Sequence, residues 1–205
     1  MAGLLFTEQG YMKVKAILAD RLIEAAWEAH RLDGGVHRPW AWADTHPLAR
    51  LEVERLGIRR TILSGASGTS MAFGIGHVDG TALPNRAGNV VLGGHRDGRF
   101  AFLEHLRPGD RMVLTTHEQR REWVVRELFV VDANDGSVLE DDGSDRLTLV
   151  TCFPFGGVTP THRRYVVTAS PATRPRATLP PASARIFEGT GVNREVPSTT
   201  QRCRC

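Results

Sequence analysis

A thiol, an imidazole and a guanidinium each stand at the end of an apolar, β-prone run in this chain of 205 residues. Cys152 closes Leu147-Thr-Leu-Val-Thr-Cys152 and is followed by Phe153-Pro154. Proline cannot continue a central ladder, so the run stops there and the thiol falls at a sheet rim. His95 closes Asn89-Val-Val-Leu-Gly-Gly-His95, where the glycines admit close approach of other backbone or of a ligand. Arg164 opens Arg164-Tyr-Val-Val-Thr-Ala169 beside Arg163. Period-two alternation sends those two arginines to opposite faces, so at most one addresses a given site. Acyl transfer by a thiol needs a nucleophile, a proton-transfer partner and a donor where oxyanion charge develops. Cys, His and Arg suit those three tasks. Each also has an ordinary reading: a small buried hydrophobe, a histidine satisfied by a carbonyl, and a solvated rim charge. Spacing alone does not bring the three together.

Competing chemistries fit less well. A papain-like site wants an early Cys in a Cys-Gly-x-Cys-Trp setting with His downstream, whereas here His95 precedes Cys152. A zinc site wants paired ligands such as Cys-x-x-Cys or His-x-x-x-His, a spacing that His77, His105 and His117 lack. Gly65-Ala-Ser-Gly68 has no Gly-Lys-Ser/Thr after it and opens no long helix, so it reads as a turn-rich loop and not as a phosphate-binding motif.

The elements that must position these groups read in three parts. Apolar residues at Val14, Ile17, Leu18, Leu22, Ala25, Ala26 and Ala29 predict a helix from Gly10 to about Leu32, ended by Asp33-Gly34-Gly35. From Pro47 to Ser170 short strands follow one another between turn residues: 49–56, 60–63, 89–95, 110–116, 122–131, 146–152 and 164–169. A helical turn or two is expected at 99–106. Strands at this spacing, without strand–helix alternation, predict an antiparallel barrel or sandwich and argue against a doubly wound parallel sheet. Beyond Ser170 the chain is rich in Pro, Arg, Ala and Thr, which predicts a disordered tail.

Composition bounds the function classes. Hydrophobic residues make up 41% and charged residues 24%, a globular balance. The formal charge is +3, but the tail alone holds six Arg and two Glu, so the body is near neutral and a nucleic-acid-binding domain is not indicated. Two of the three Cys, Cys203 and Cys205, lie in the last three residues, which leaves no disulfide scaffold. No apolar run is long enough to span a membrane, and Met1-Ala-Gly-Leu-Leu-Phe lacks the basic start and length of a signal peptide.

Taken in order, the motifs resemble a known family. Thr148-Leu149-Val150-Thr151-Cys152 matches the Thr-Leu-x-Thr-Cys signature of sortases, the cysteine transpeptidases of bacterial surfaces. Gly94-His95-Arg96 resembles their histidine motif, and Arg164 before Tyr-Val-Val resembles their arginine strand. The chain is most similar to class GN sortases of Gram-negative bacteria. That likeness rests on Pro39-Trp-Ala-Trp-Ala-Asp44, Gly65-Ala-Ser-Gly68, Ala72-Phe-Gly74, Gly76-His77, Thr81-Ala-Leu-Pro84, Gly88-Asn-Val-Val-Leu92, Phe102-Leu103, Leu106-Arg-Pro-Gly-Asp110 and Cys152-Phe-Pro-Phe155. It covers roughly Gly10 to Ala169.

The resemblance implies an all-β fold: a closed, sortase-type eight-stranded β-barrel with an N-terminal helix and short connecting helices. Residues 1–35 would form the helix next to the family's membrane anchor, 36–170 the catalytic barrel and 171–205 the tail. It implies Cys152 as nucleophile, His95 as acid and base, and Arg164 as donor to the substrate backbone or the oxyanion. The implied partner is a protein with a C-terminal Leu-Pro-x-Thr-Gly-like sorting signal, cut between Thr and Gly and passed to an amine acceptor. Inner-membrane association with the barrel in the periplasm follows from the family. No cofactor is implied. A calcium site would need the acidic run Asp132, Asp135, Glu140, Asp141, Asp142 and Asp145, which reads as a solvated loop. Other readings are a thiol peptidase of the same fold working by hydrolysis, a barrel that only binds extended peptides, and a helix and tail that bind anionic surfaces.

Overall fold

Helix α1 runs from Ala2 to Asp33 in the computed structural model, which describes residues 2–157 and 161–172. It starts before the expected Gly10 and carries that glycine in its interior, a cost of about 1 kcal/mol relative to Ala. At its end Gly34 turns left-handed at φ 71°, and its N–H bonds to His30 O at 2.7 Å. Ala19, Ile23, Ala26 and Trp27 form the stripe that α1 buries. Arg50 on β1 (Pro47–Val53) secures the contact. It is 7% exposed, bonds Glu24 at 2.5 Å, and its guanidinium lies 5.2 Å over the Trp27 ring.

The remaining strands are β2 (Ile58–Leu63), β3 (Ile75–His77), β4 (Asn89–Gly93), β5 (Arg111–Thr115), β6 (Arg120–Asp132), β7 (Arg146–Phe153) and β8 (Arg163–Pro171). They close a barrel in the order β1-β2-β3-β4-β7-β8-β6-β5. The all-β barrel is as expected, but its ladders are not all antiparallel. β2 pairs parallel with β3 and β4 pairs parallel with β7. Strand β3 went unseen in the sequence because three residues around a glycine carry no β-branched run. Gly65-Ala-Ser-Gly68, read as a turn-rich loop, leads straight into helix α2 (Gly68–Phe73), with Ser67 Oγ accepting from Ser70 N at 3.3 Å. Strand β4 stops at Gly93, so His95 lies just past the strand and does not close it. A short 3₁₀ turn, Ala101–His105, fills the expected helical stretch. Strand β8 takes in Pro171, which pairs with Trp123. The tail beyond residue 172, with Cys203 and Cys205, lies outside the described residues.

Inward-facing residues of every wall meet in one core, including Leu51, Ile62, Leu92, Leu114, Trp123 and Leu149, all fully buried. Phe100 and Leu103 plug it from the turn after β4. Gly94 lies tight against that plug: a Cβ there would stand 3.0 Å from the Phe100 ring, so the ring would have to give. Two polar ties lock β4 to β7. Thr151 Oγ1 donates to Gly94 O at 2.7 Å, and Thr148 Oγ1 donates to Asn89 Oδ1 at 2.7 Å. Asn89 Nδ2 in turn reaches Val138 O and Glu140 O, fastening the β6–β7 connection.

The Leu106–Asp110 turn has its own lock. Asp110 accepts from Arg55 Nε and Nη2 at 2.6 and 2.7 Å and from Arg107 N at 2.8 Å. The Arg55 bond, followed by that backbone bond, holds the Asp110 carboxyl below the usual range against the opposing effect of burial. A depressed folded-state value stabilises the fold above the unfolded pKa of about 4. That stability is lost as pH falls through the lower folded value. Asp110→Asn should therefore weaken the fold at pH 7 and flatten the acid limb of a urea-midpoint profile below about pH 4. Thr151→Val leaves the Gly94 carbonyl without its buried donor and should lower urea stability by about 1–3 kcal/mol.

Candidate functional site

Register places the site. Cys152 is the Cα partner of Arg164 across the antiparallel β7–β8 ladder, and Val150 is the partner of Gly93 across the parallel β4–β7 ladder. His95 therefore leaves β4 two residues past Gly93, as Cys152 comes two residues past Val150. Gly94 N donates to Val150 O at 3.3 Å and keeps the two chains together beyond the last regular pair. Three groups from distant parts of the chain thus emerge at one end of three adjacent strands.

They line one cleft of about 350 Å³. Alternation puts Thr148, Val150 and Cys152 on the outer face of β7, where Leu147 and Leu149 point to the core. The cleft floor is thus the outside of the barrel wall, made of Val91, Gly93 and Val150. Ala66 and Met71 form one bank, and the β6–β7 connection from Asp132 to Leu139 forms the other. Cys152 is a free, half-buried thiol, and His95 is exposed. Arg164 Nη1 donates to Thr161 O and to Arg163 O, both at 3.1 Å, bonds that do not use Nε or Nη2. Arg163, as alternation required, is exposed and is not part of the cleft.

The connection after Cys152 is held from both sides. Arg96, buried beside His95, donates to Gly157 O, and Thr161 Oγ1 donates to Phe153 O at 2.7 Å. Phe153, Phe155 and Tyr165 pack ring on ring, with Phe153 and Tyr165 stacked at 6.1 Å and the Phe153–Pro154 peptide cis. The tether from Arg96 was missed in the sequence, where Arg96 figured only as part of the histidine motif. The two banks were not recognised as cleft walls, because Gly65-Ala-Ser-Gly68 read as a turn-rich loop, Asp132 and Asp135 as part of a solvated acidic run, and Met71 carries no chemical signature.

The acidic run does not converge. Asp142 accepts from Ser144 and Arg146, Asp145 pairs with Arg121, and Asp135 caps Ser137 N, so each is engaged locally. Hydrogen bonds from Ser137 and Ser144 hold the Asp135 and Asp142 carboxyls below their ordinary range. Among the described residues no three of His, Cys, Asp and Glu are grouped to hold a metal.

Sortase D of Bacillus subtilis (strain 168) is 28% identical over 118 residues, 57% of this chain and 60% of that protein. Sortase A of Bacillus anthracis is 26% identical over 124 residues, 58% of this chain and 57% of that protein. The chain thus spans little more than half the length of these curated relatives. Among solved structures, the Clostridium perfringens sortase D5 transpeptidase superposes with a TM-score of 0.63 at 22% identity, covering 76% of this chain and 99% of that one. That likeness is one of fold. Sortase C-1 from Actinomyces oris gives 0.57 at 28% identity, covering 64% and 77%. The sortase domain family matches residues 51–172, from within β1 to the end of β8 and across all three cleft residues, and the chain belongs to that family.

Proposed function

We propose that this chain is a cysteine transpeptidase that cuts a Leu-Pro-x-Thr-Gly-like sorting signal and passes the protein to an amine. The observation that carries this reading is the meeting of Cys152, His95 and Arg164 in one cleft along the barrel wall. In the proposed cycle the Cys152 thiolate attacks the threonine carbonyl, and Arg164 donates to the carbonyl oxygen or the adjoining backbone as negative charge develops. The C–N bond breaks, and the leaving glycine amine takes its proton from the His95 imidazolium. An incoming amine then attacks the thioester, gives its proton to His95, and the C–S bond breaks to return the thiolate. The steps balance without a cofactor.

The shared cleft supports this division of labour, because a thiol, an imidazole and a guanidinium supply the nucleophile, the proton carrier and the oxyanion donor that the cycle requires. The walls support an extended peptide: the apolar floor and the Met71 bank suit the Leu-Pro end of the signal, with the threonine carbonyl at Cys152. The motifs around Trp40, Trp42 and Cys152-Phe-Pro-Phe155 support a class GN assignment. With it goes a place at the inner membrane with the cleft in the periplasm. No described helix is long and apolar enough to cross a membrane.

Steady-state cleavage of a Leu-Pro-x-Thr-Gly-like peptide tests the roles. Cys152→Ala should abolish turnover, and His95→Ala and Arg164→Ala should each lower kcat/KM by about 100-fold or more. Arg163→Ala should stay within about twofold, since its side chain leaves the opposite face of β8. A crippling Arg163→Ala with a mild Arg164→Ala would overturn the assignment of the arginine. A small amine added to the reaction should appear in the product as an amide. Acid as the sole product, whatever the amine concentration, would make the enzyme a hydrolase.

A further inference from the structure

Beside α1, two unassigned concavities adjoin at Phe73. The first, of about 200 Å³, lies between α1 and β2 and is lined by Arg59, Arg60, Arg99, Asp20, Glu24 and Phe73, among others. Most of these charges are already matched. Arg59 bonds Glu52 at 2.8 Å, Arg99 pairs with Asp20, and Glu24 pairs with Arg50. Arg60 is not matched. Its Nη1 reaches only Arg59 O, its Nε is buried with no acceptor among the described residues, and no described carboxylate pairs with it. Desolvation and then the like charge of Arg99 push its pKa below the ordinary arginine value, with Asp20 opposing. Among the described residues the concavity therefore holds one partly dehydrated cation with no carboxylate in ion-pair contact, Asp20 being paired with Arg99 and acting on Arg60 only at longer range.

The second is an apolar groove of about 590 Å³ between α1 and the 40–44 segment, a volume typical of small-molecule sites. Leu18, Leu22, Trp40, Trp42 and Phe73 line it, with Lys15 and Asp44 at its edge. Phe73 belongs to both concavities and packs edge-on against Trp40 at 5.1 Å. Two of its lining residues stand out in solvent, Trp42 at 84% and Leu18 at more than half, and Val14 and Ile17 on the same helix are also more than half exposed. An indole left this far out in water beside an aliphatic helix face is the arrangement found where proteins meet a lipid interface.

We propose that this face binds an anionic glycerophospholipid, with its phosphodiester at Arg60 and its acyl chains in the groove past Phe73 and Trp40 toward Trp42. A phosphodiester carries one negative charge, matching Arg60, the described lining cation left without an ion pair, and bidentate acceptance from a guanidinium suits its oxygens. A lipid also joins the anion to the apolar part in the order in which the two concavities adjoin. The site is separate from the cysteine cleft, so its test uses the full chain carrying Cys152→Ala and does not depend on peptide chemistry.

Titration calorimetry with short-chain phosphatidylglycerol below its micelle concentration provides that test, alongside short-chain phosphatidylcholine and inorganic phosphate. Phosphatidylglycerol should bind saturably and at least about fivefold more tightly than phosphatidylcholine. Arg60→Gln should bring phosphatidylglycerol down to the phosphatidylcholine level, and Trp42→Ser should weaken both lipids, with urea midpoints unchanged in each variant. Equal affinity for the two lipids, or an Arg60→Gln chain that binds like its parent, would overturn the proposal. So would inorganic phosphate binding as tightly as phosphatidylglycerol, which would leave an anion site without a lipid.

Discussion

Because β4 and β7 run parallel and in register, with β8 locked antiparallel on the far side of β7, residues far apart in sequence leave the barrel at one place. A one-residue slip of β7 would turn Cys152 to the core and bring Thr151 out, so the cleft is only as secure as that register. Two threonine hydroxyls guard it. Thr148 holds Asn89 at one end of the pair and Thr151 holds the Gly94 carbonyl at the other. The same residues that read as a signature in the sequence are therefore partly structural. Leu149 fills the core, the threonines fix the register, and Cys152 lines the cleft.

Strands carry the thiol and the guanidinium, while a short turn carries the imidazole. Groups on packed strands are held more closely than groups on loops, and the turn bearing His95 is stiffened accordingly. Gly98 N and Phe100 N both donate to His95 O, Phe100 is sunk in the core, and Arg96 bonds Gly157 across the mouth of the β7–β8 connection. The banks differ in kind. Met71 comes from a two-turn helix capped by Ser67, whereas the opposite bank is held to the barrel through Asn89. A ligand lying along the floor would touch both, so substrate choice is open to change there without disturbing the register beneath.

Much of this was legible in the residues. Apolar runs rich in Val, Leu and Thr marked most strands, and alternation correctly separated Arg163 from Arg164. What escaped has physical reasons. Strand β3 is three residues with a glycine at its centre, and Gly76 is demanded by tertiary contact, since a Cβ there would sit 2.5 Å from Gly65 O. Parallel pairing of β4 with β7 is non-local and leaves no mark on either segment. Helix α1 extends beyond its amphipathic part, where periodicity no longer signals it. That Arg60 has no described carboxylate in ion-pair contact was invisible, because only the folded chain shows which arginines find carboxylates.

The proposed cycle requires Cys152 to form a covalent bond to the carbonyl carbon of a peptide substrate. Intact-mass spectrometry of the chain mixed with a Leu-Pro-x-Thr-Gly-like peptide measures this directly. The cycle predicts an adduct equal to the peptide's portion up to and including Thr, mapped to Cys152 and absent from Cys152→Ala. Cleavage that proceeds with no acyl group on Cys152, or with the adduct on another residue, would contradict it.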